Sequence, residues 1–265
     1  MITKLLPLEK ITTIRQDGSI WVHHIETEDD CKMAEMVIGH GSNLLIKQAR
    51  EVYKLSERFN YIKQQGDRLL VGGATPIRQI LRYCLANGLT GMEFLTGVPA
   101  SLGGVVYMNA GAFGDQMGDI VDYIRVFDLK EKASKLVNGI RFSYRNTNID
   151  GIILEAALKL KRKDRGLIKS KMENVIKRRL KSAHIKNTFG SVFKNPQEKP
   201  AGWLIERVGL KGFKKNTAMI SPKHANYILG LGRARIDDIL YLIDMAKERV
   251  LKTFGIELSE EVVIL

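Results

Sequence analysis

Cysteine is scarce: Cys31 and Cys84 are the two in 265 residues, and no metal-type spacing relates them. That excludes a disulfide framework and a cysteine-based metal centre, and leaves a pair of buried thiols as the reading. The five histidines form no ligand set either, since His23 and His24 are adjacent and face opposite sides of a strand, and His40, His184 and His224 are scattered. No metal site is expected. No apolar run is long enough for a signal-peptide core or a bilayer span, so a cytoplasmic protein without membrane insertion is expected. Internal repeats and low-complexity linkers are missing too.

What is present is an apolar content of 45%, enough for one sizeable core or two to three smaller ones, and a net charge of +13. The charge is uneven. Twelve Lys or Arg residues fall between Lys159 and Lys186 against Asp164 and Glu173, a net +10. Ile168, Met172, Val175, Ile176 and Leu180 recur there at helical spacing, which predicts an amphipathic helix with a basic outer face. A solvated surface accounts for the outward lysines, and attraction of anionic ligands is the functional alternative. No aromatic interleaving accompanies the charge, so nucleic acid is not expected as a partner.

Strand-like runs dominate the first half: Ile20-Trp21-Val22, Met36-Val37-Ile38, Leu69-Leu70-Val71, Tyr123 to Phe127 and Ile152-Ile153-Leu154. A helix is predicted from Thr75, as N-cap, to Asn87, with Pro76 in its first turn, Ile77, Ile80, Leu81, Cys84 and Leu85 on one face and Gly88 as its stop. Another is predicted from a cap near Asp237, burying Ile239, Leu240, Ile243, Ala246, Val250 and Leu251. Trp203, Leu204, Ile205 and Val208 read as the buried face of a short helix ended by Gly209. Helices and strands are interspersed, so the class is α+β.

Two glycine-rich stretches suggest ligand contact. Gly39, Gly41 and Ser42 form a turn before Leu44-Leu45-Ile46 that could aim successive N–H groups at a phosphate. It is neither a P-loop nor the dinucleotide fingerprint, because Leu44 stands where the third glycine belongs; on the residues alone, a tight structural turn is the better reading. Six glycines lie between Gly97 and Gly118, more than a strand or helix interior tolerates, and close approach of backbone to a flat ligand would offset their cost.

The chain resembles one family along nearly its whole length. The pieces, in order, are Gly39-His40-Gly41-Ser42-Asn43-Leu44-Leu45, Gly97-Val98-Pro99, Tyr107-Met108-Asn109-Ala110-Gly111-Ala112-Phe113-Gly114, Tyr144-Arg145, Gly190-Ser191-Val192-Phe193-Lys194-Asn195-Pro196, Pro200 to Gly212, Ser221-Pro222-Lys223-His224-Ala225-Asn226-Tyr227-Ile228 and Glu260-Glu261-Val262. They resemble the UDP-N-acetylenolpyruvoylglucosamine reductases, in the compact type without a long substrate-side insertion. The resemblance implies an FAD-binding fold of the vanillyl-alcohol-oxidase type plus a C-terminal α+β substrate domain. Carried onto this chain, residues 1–65 and 66–163 would be two FAD-binding α+β subdomains, 164–253 the substrate-binding domain, and 254–265 a strand returning to the flavin side.

It further implies a cytoplasmic monomer reducing UDP-N-acetylglucosamine enolpyruvate to UDP-N-acetylmuramate with FAD as cofactor and NADPH as hydride donor. FAD would be held by Gly39, Gly41, Ser42, Asn43, Leu44, Gly97, Pro99, Gly103, Gly104, Asn109, Gly111 and Ala112. Ser191 maps to the proton donor, Arg145 to the arginine that binds the substrate carboxylate, and Glu261 to its acidic partner in polarisation. Asn195 and Lys181 map to positions near the sugar and diphosphate. The sequence departs from the family at Ala100, at Gln16-Asp17-Gly18 and at Ser182-Ala183-His184. The alternatives are a flavoprotein of the same fold acting on another substrate, which needs the flavin loops but not Ser191, Arg145 and Glu261 together, and a basic nucleic-acid binder without flavin.

Overall fold

The computed structural model describes residues 1–182 and 186–265, so Ala183 and His184 of the Ser182-Ala183-His184 departure lie outside the described residues. In chain order the elements used below are β1 (Ser19–Ile25), β2 (Leu44–Leu45), β3 (Glu51–Leu55), β4 (Ile62–Gln65), β5 (Arg68–Gly72), α1 (Ile77–Asn87), α2 (Leu102–Tyr107), β6 (Val121–Asp128), β7 (Ala133–Asn138), β8 (Ile152–Lys159) and α3 (Arg165–Ser182). They continue with α4 (Ala201–Arg207), β9 (Lys214–Lys215), β10 (Ala218–Ile220), β11 (Ile228–Gly230), α5 (Ile236–Phe254) and β12 (Val263–Ile264). Two units divide the chain: one of Met1–Lys4, Trp21–His40 and Glu51–Lys177, the other of Leu5–Ile20, Gly41–Arg50 and Arg178–Leu265.

The first unit is built on a five-stranded antiparallel sheet in the order β7-β6-β8-β5-β4. Its central strand, β8, is apolar almost throughout because both faces are covered. Ile153, Ala156 and Leu158 join Ile77, Ile80, Leu81 and Cys84 of α1 in one core, while Ile152 and Leu154 pack with Ile25, Tyr53 and Phe59 in another. A register shift between Arg125 and Val126, whose partners jump from Glu155 to Ile153, moves the inward positions from one parity to the other. β1 and β3 form a parallel pair beside it, Val22 against Val52 and His24 against Lys54. Cys31 and Cys84 are buried free thiols whose pKa burial pushes up to about 12.

The second unit packs α4 and α5 against the small sheet β9-β10-β11. Its core holds Leu204 and Ile205 of α4, Ala218 and Ile220 of β10, and Ile239, Leu242, Ile243, Ala246 and Val250 of α5. β12 pairs in parallel with β2, Val263 against Leu44 and Ile264 against Leu45, so the chain's end is tied to the segment just after the glycine turn.

Several local expectations change. Met36-Val37-Ile38 is a single bridge, Val37 to Tyr53, because the 3-10 turn Asp29–Met33 precedes it and the glycine turn follows at once. Thr75 does not cap α1; its hydroxyl donates to the Tyr61 carbonyl and accepts from the Tyr61 N–H, both at 3.1 Å, and the helix opens after Pro76. Gly88 does end it, at φ +64°. α5 starts at Ile236 without a side-chain cap, and Leu242, not the exposed Leu251, completes its buried stripe. The buried Asp238 instead accepts hydrogen bonds from Thr217 Oγ1 at 2.6 Å and Asn216 Nδ2 at 2.8 Å, which hold its carboxyl below the usual range. Trp203 is 40% exposed, with Arg207 and Lys199 over its ring. The basic helix is α3; Ile168 and Val175 are buried, but Leu180 is exposed. Gly103 and Gly104 lie inside α2. No helix among the described residues is long and apolar enough to cross a membrane.

Candidate active site

Extended backbone, locked from both sides, carries Ser191. After Gly190 the strip Ser191-Val192-Phe193 lies between two other segments of its unit: Val192 N–H donates to Asn226 O at 2.9 Å, and Glu261 N–H donates to Val192 O at 2.8 Å. Isolated bridges join Ser191 to Tyr227 and Phe193 to Glu260. Phe193 is clamped by the buried Asn226, which donates Nδ2 to its carbonyl at 2.8 Å and accepts its N–H at 3.0 Å. Val192 and Phe193 are buried anchors. Ser191 is half-buried, and its hydroxyl makes no hydrogen bond among the described residues. The strip therefore holds a serine hydroxyl in fixed position without committing it.

Glu261 lies on the adjoining segment, half-buried. Its neighbour Glu260 is paired with Lys247 of α5 at 2.6 Å. The N–H groups of Glu261 and Val262 both donate to Val192 O, at 2.8 and 3.3 Å, so the segment is irregular where Glu261 sits. Asn43 Nδ2 donates to the Glu261 carbonyl at 2.9 Å, and Asn43 O accepts from Val263 N–H at 3.1 Å, so Asn43 fastens the terminal segment to the glycine turn. Within that turn Gly41 has φ +62°, and a Cβ there would lie 1.9 Å from Ile11 O. Only glycine fits. Ser42 is half-buried in the turn, and Leu44 is buried in β2. The departing Gln16 is structural: buried, it bonds Ile46 through both ends of its amide.

Asn195 is exposed, and its Oδ1 accepts from Ala201 N–H at 3.1 Å, so it caps α4 across Pro200. Asn195→Ala is expected to lower stability by about 1 kcal/mol, read from the urea midpoint. Lys181 is exposed in the last turn of α3.

In the first unit Asn109 joins the loop at 109–118 to the hairpin that carries Arg145. It is 1% exposed; its Nδ2 donates to Gln116 Oε1 at 2.9 Å and to Ser143 O at 2.8 Å, and its Oδ1 accepts from Gly118 N–H at 3.0 Å. The side chain is thus spent within the protein. Arg145, half-buried, occupies the hairpin between Phe142–Ser143 and Asn146–Thr147 with φ +56°, a conformation uncommon outside glycine. Its Nη2 donates to Gly111 O at 3.1 Å. Gly111 and Ala112 pair with Gln116 and Asp115. Lys171 of α3 braces the same loop, 3.4 Å from Asp115 and 3.5 Å from the buried Glu93. Burial pushes the Glu93 carboxyl up, but bonds from Thr90 and Gly91 with the Lys171 charge outweigh it and hold it low.

Gly39 packs against Ser101, where a Cβ would come within 2.7 Å of Oγ. Gly103 and Gly104 follow in α2, while Gly97, at φ +87°, and Pro99 lie in the exposed loop before it. Asn226, Lys247 and Gln116 were assigned no role from sequence. The available signal was a polar residue inside an apolar run, Ala225-Asn226-Tyr227-Ile228, which must find partners when buried.

Residues 181–265 match the C-terminal domain of UDP-N-acetylenolpyruvoylglucosamine reductase, and residues 30–136 match an FAD binding domain. The reductase of that name from Thermotoga maritima is 37% identical over 235 residues, covering 86% of this chain and 83% of its own. The chain belongs to the UDP-N-acetylenolpyruvoylglucosamine reductase family. The Heliobacterium modesticaldum reductase is 39% identical over 236 residues, covering 86% of this chain and 75% of its own. The crystal structure of UDP-N-acetylenolpyruvylglucosamine reductase from Thermus caldophilus superposes with a TM-score of 0.88 at 31% identity, over 100% of this chain and 99% of that one. Like the rest of the reductase family, the chain is an FAD-dependent oxidoreductase of peptidoglycan precursor synthesis with an FAD-binding part and a separate C-terminal domain. At Gly39 and Gly41 the place of a side chain is taken by the protein itself, by Ser101 Oγ and Ile11 O, so these glycines let neighbouring backbone pack closely in the turn.

Proposed function

We propose that this enzyme reduces the enolpyruvyl ether of UDP-N-acetylglucosamine enolpyruvate to the lactyl ether of UDP-N-acetylmuramate. FAD, when bound, supplies hydride to the vinyl methylene carbon, having received it from NADPH. The carbon next to it must gain a proton, and negative charge spreads onto the substrate carboxylate as hydride arrives. Ser191 gives that proton. A serine hydroxyl is a weak acid in water, but the carbanion-like species it meets is a strong base, and solvent protons restore the hydroxyl afterwards.

The observation that carries the reading is the uncommitted Ser191 hydroxyl on a strip fixed by Asn226, with Glu261 on the adjoining segment. Arg145 binds the substrate carboxylate, its permanent charge offsetting the charge that develops there. Glu261 assists through a hydrogen bond, and Asn195 and Lys181 contact the sugar and diphosphate. Residues 1–65 and 66–163 hold FAD, residues 164–253 the substrate, and residues 254–265 return to the flavin side, in a cytoplasmic monomer.

The test is conversion of the enolpyruvyl nucleotide by purified protein under NADPH, followed by mass. A product richer by one hydride and one solvent-derived proton is expected; unchanged substrate with NADPH consumed would sink the substrate assignment. Arg145→Lys keeps the charge but loses the fork. It is expected to raise KM for the enolpyruvyl substrate by roughly tenfold or more, leaving the rate of flavin reduction by NADPH unchanged.

A further inference from the structure

His40 lies between Gly39 and Gly41 with its ring Nδ1 enclosed and, among the described residues, without a hydrogen-bond partner. Burial and the charge of Lys54 both push its pKa down, so the ring is neutral near pH 7. Lys54, on β3, is half-buried and makes no ion pair or hydrogen bond among the described residues; burial pushes its pKa down against the opposing charge of Glu57. The ladder brings these groups together. Lys54 is opposite His24 on β1, and on the other side of β3 Ile38 N–H bonds Tyr53 O, so the chain passes Lys54 and reaches His40 two residues later.

The remaining charges do not satisfy the lysine. Glu57 accepts from Asn60 at 2.7 Å, Glu26 is paired with Arg58 at 3.1 Å, and Lys4 adds a further cation near His24. A partly desolvated ammonium without a partner, beside an enclosed imidazole nitrogen without a partner, is costly in the ligand-free protein. An anion with several acceptor oxygens would relieve both.

We propose that Lys54 and His40 bind a phosphate of the FAD diphosphate, Lys54 supplying charge and His40 Nδ1–H a hydrogen bond. The proposal rests on the flavin reading and extends it to two residues besides the glycines. The test titrates apoprotein with FAD, with riboflavin, which lacks the phosphates, and with UDP. Lys54→Met is expected to raise the Kd for FAD about tenfold or more, the loss of one charge-assisted phosphate contact, and to leave riboflavin unchanged. Its urea midpoint stays level or rises, because an unpaired cation gives way to an apolar chain. Lys54→Arg keeps most of the affinity, and His40→Asn, which still offers a donor, binds FAD more tightly than His40→Leu. Equal weakening for FAD and riboflavin would assign Lys54 a structural role and overturn the proposal. So would unchanged FAD affinity, or weakening confined to UDP, which would give the site to the nucleotide substrate. A wild-type chain that binds no FAD would overturn the flavin reading and the proposal together.

Discussion

Ser191→Ala is expected to slow reduction of the enolpyruvyl substrate by roughly 10²- to 10⁴-fold, the usual contribution of a positioned general acid. The loss should fall on one half-reaction. Rapid mixing with NADPH should bleach the flavin at the wild-type rate, while reoxidation by the enolpyruvyl nucleotide becomes slow. Because the Ser191 hydroxyl makes no hydrogen bond among the described residues, its removal should leave the urea midpoint nearly unchanged. Ser191→Cys, which restores an ionisable proton at nearly the same place, should recover part of the rate. Equal slowing of both half-reactions in Ser191→Ala would instead mean a disturbed flavin site, and no slowing would remove Ser191 from the mechanism.

Gly41→Ala is expected to cost ~3 kcal/mol or more and to impair retention of FAD. Two independent effects combine. The backbone sits at φ +62°, and a Cβ would lie 1.9 Å from Ile11 O and 3.2 Å from Thr12 Cα, so the 11–13 segment must move. That movement also strains the bond from Thr13 N–H to Gly41 O. Gly66 separates the two effects, since it has φ +59° with nothing within 4 Å of its missing Cβ. Gly66→Ala should therefore cost only about 1 kcal/mol, the conformational part alone. Urea unfolding of the two variants should differ by the steric part; equal stability would mean that the Ile11 contact relaxes freely.

Local patterns were legible where the partners lie close in the chain. Gly88 ends α1 as its position after an apolar stripe implies, and the apolar face of Ile77, Ile80, Leu81 and Cys84 is the buried one. Thr75 misled because its hydroxyl is taken by Tyr61, fourteen residues earlier, a contact no helix-start pattern contains. Leu242 and Leu251, nine residues apart, lie on opposite sides of α5, flanking the stripe of Ile239, Ile243, Ala246 and Val250; the packed core takes Leu242 and leaves Leu251 to solvent.

The glycine turn could be located in the sequence but not explained, since the carbonyl that forbids a side chain at Gly41 comes from Ile11. For the candidate site, the resemblance named Ser191 and Glu261, and their adjacency emerges from hydrogen bonding between segments some seventy residues apart. Asn226, which fixes the strip, was visible as a residue but not as a clamp, because both of its partners are backbone atoms of Phe193. The Gln16 departure from the family pattern is a buried amide serving Ile46, thirty residues on, which the local sequence does not reveal.

The most direct measurement is the visible spectrum of the purified protein under anaerobic conditions, after addition of NADPH and then of UDP-N-acetylglucosamine enolpyruvate. A flavin band that bleaches with NADPH and returns on addition of the enolpyruvyl nucleotide is the expected result. A band that bleaches and stays bleached would contradict the substrate assignment, and the lack of any flavin band after reconstitution with FAD would contradict the account as a whole.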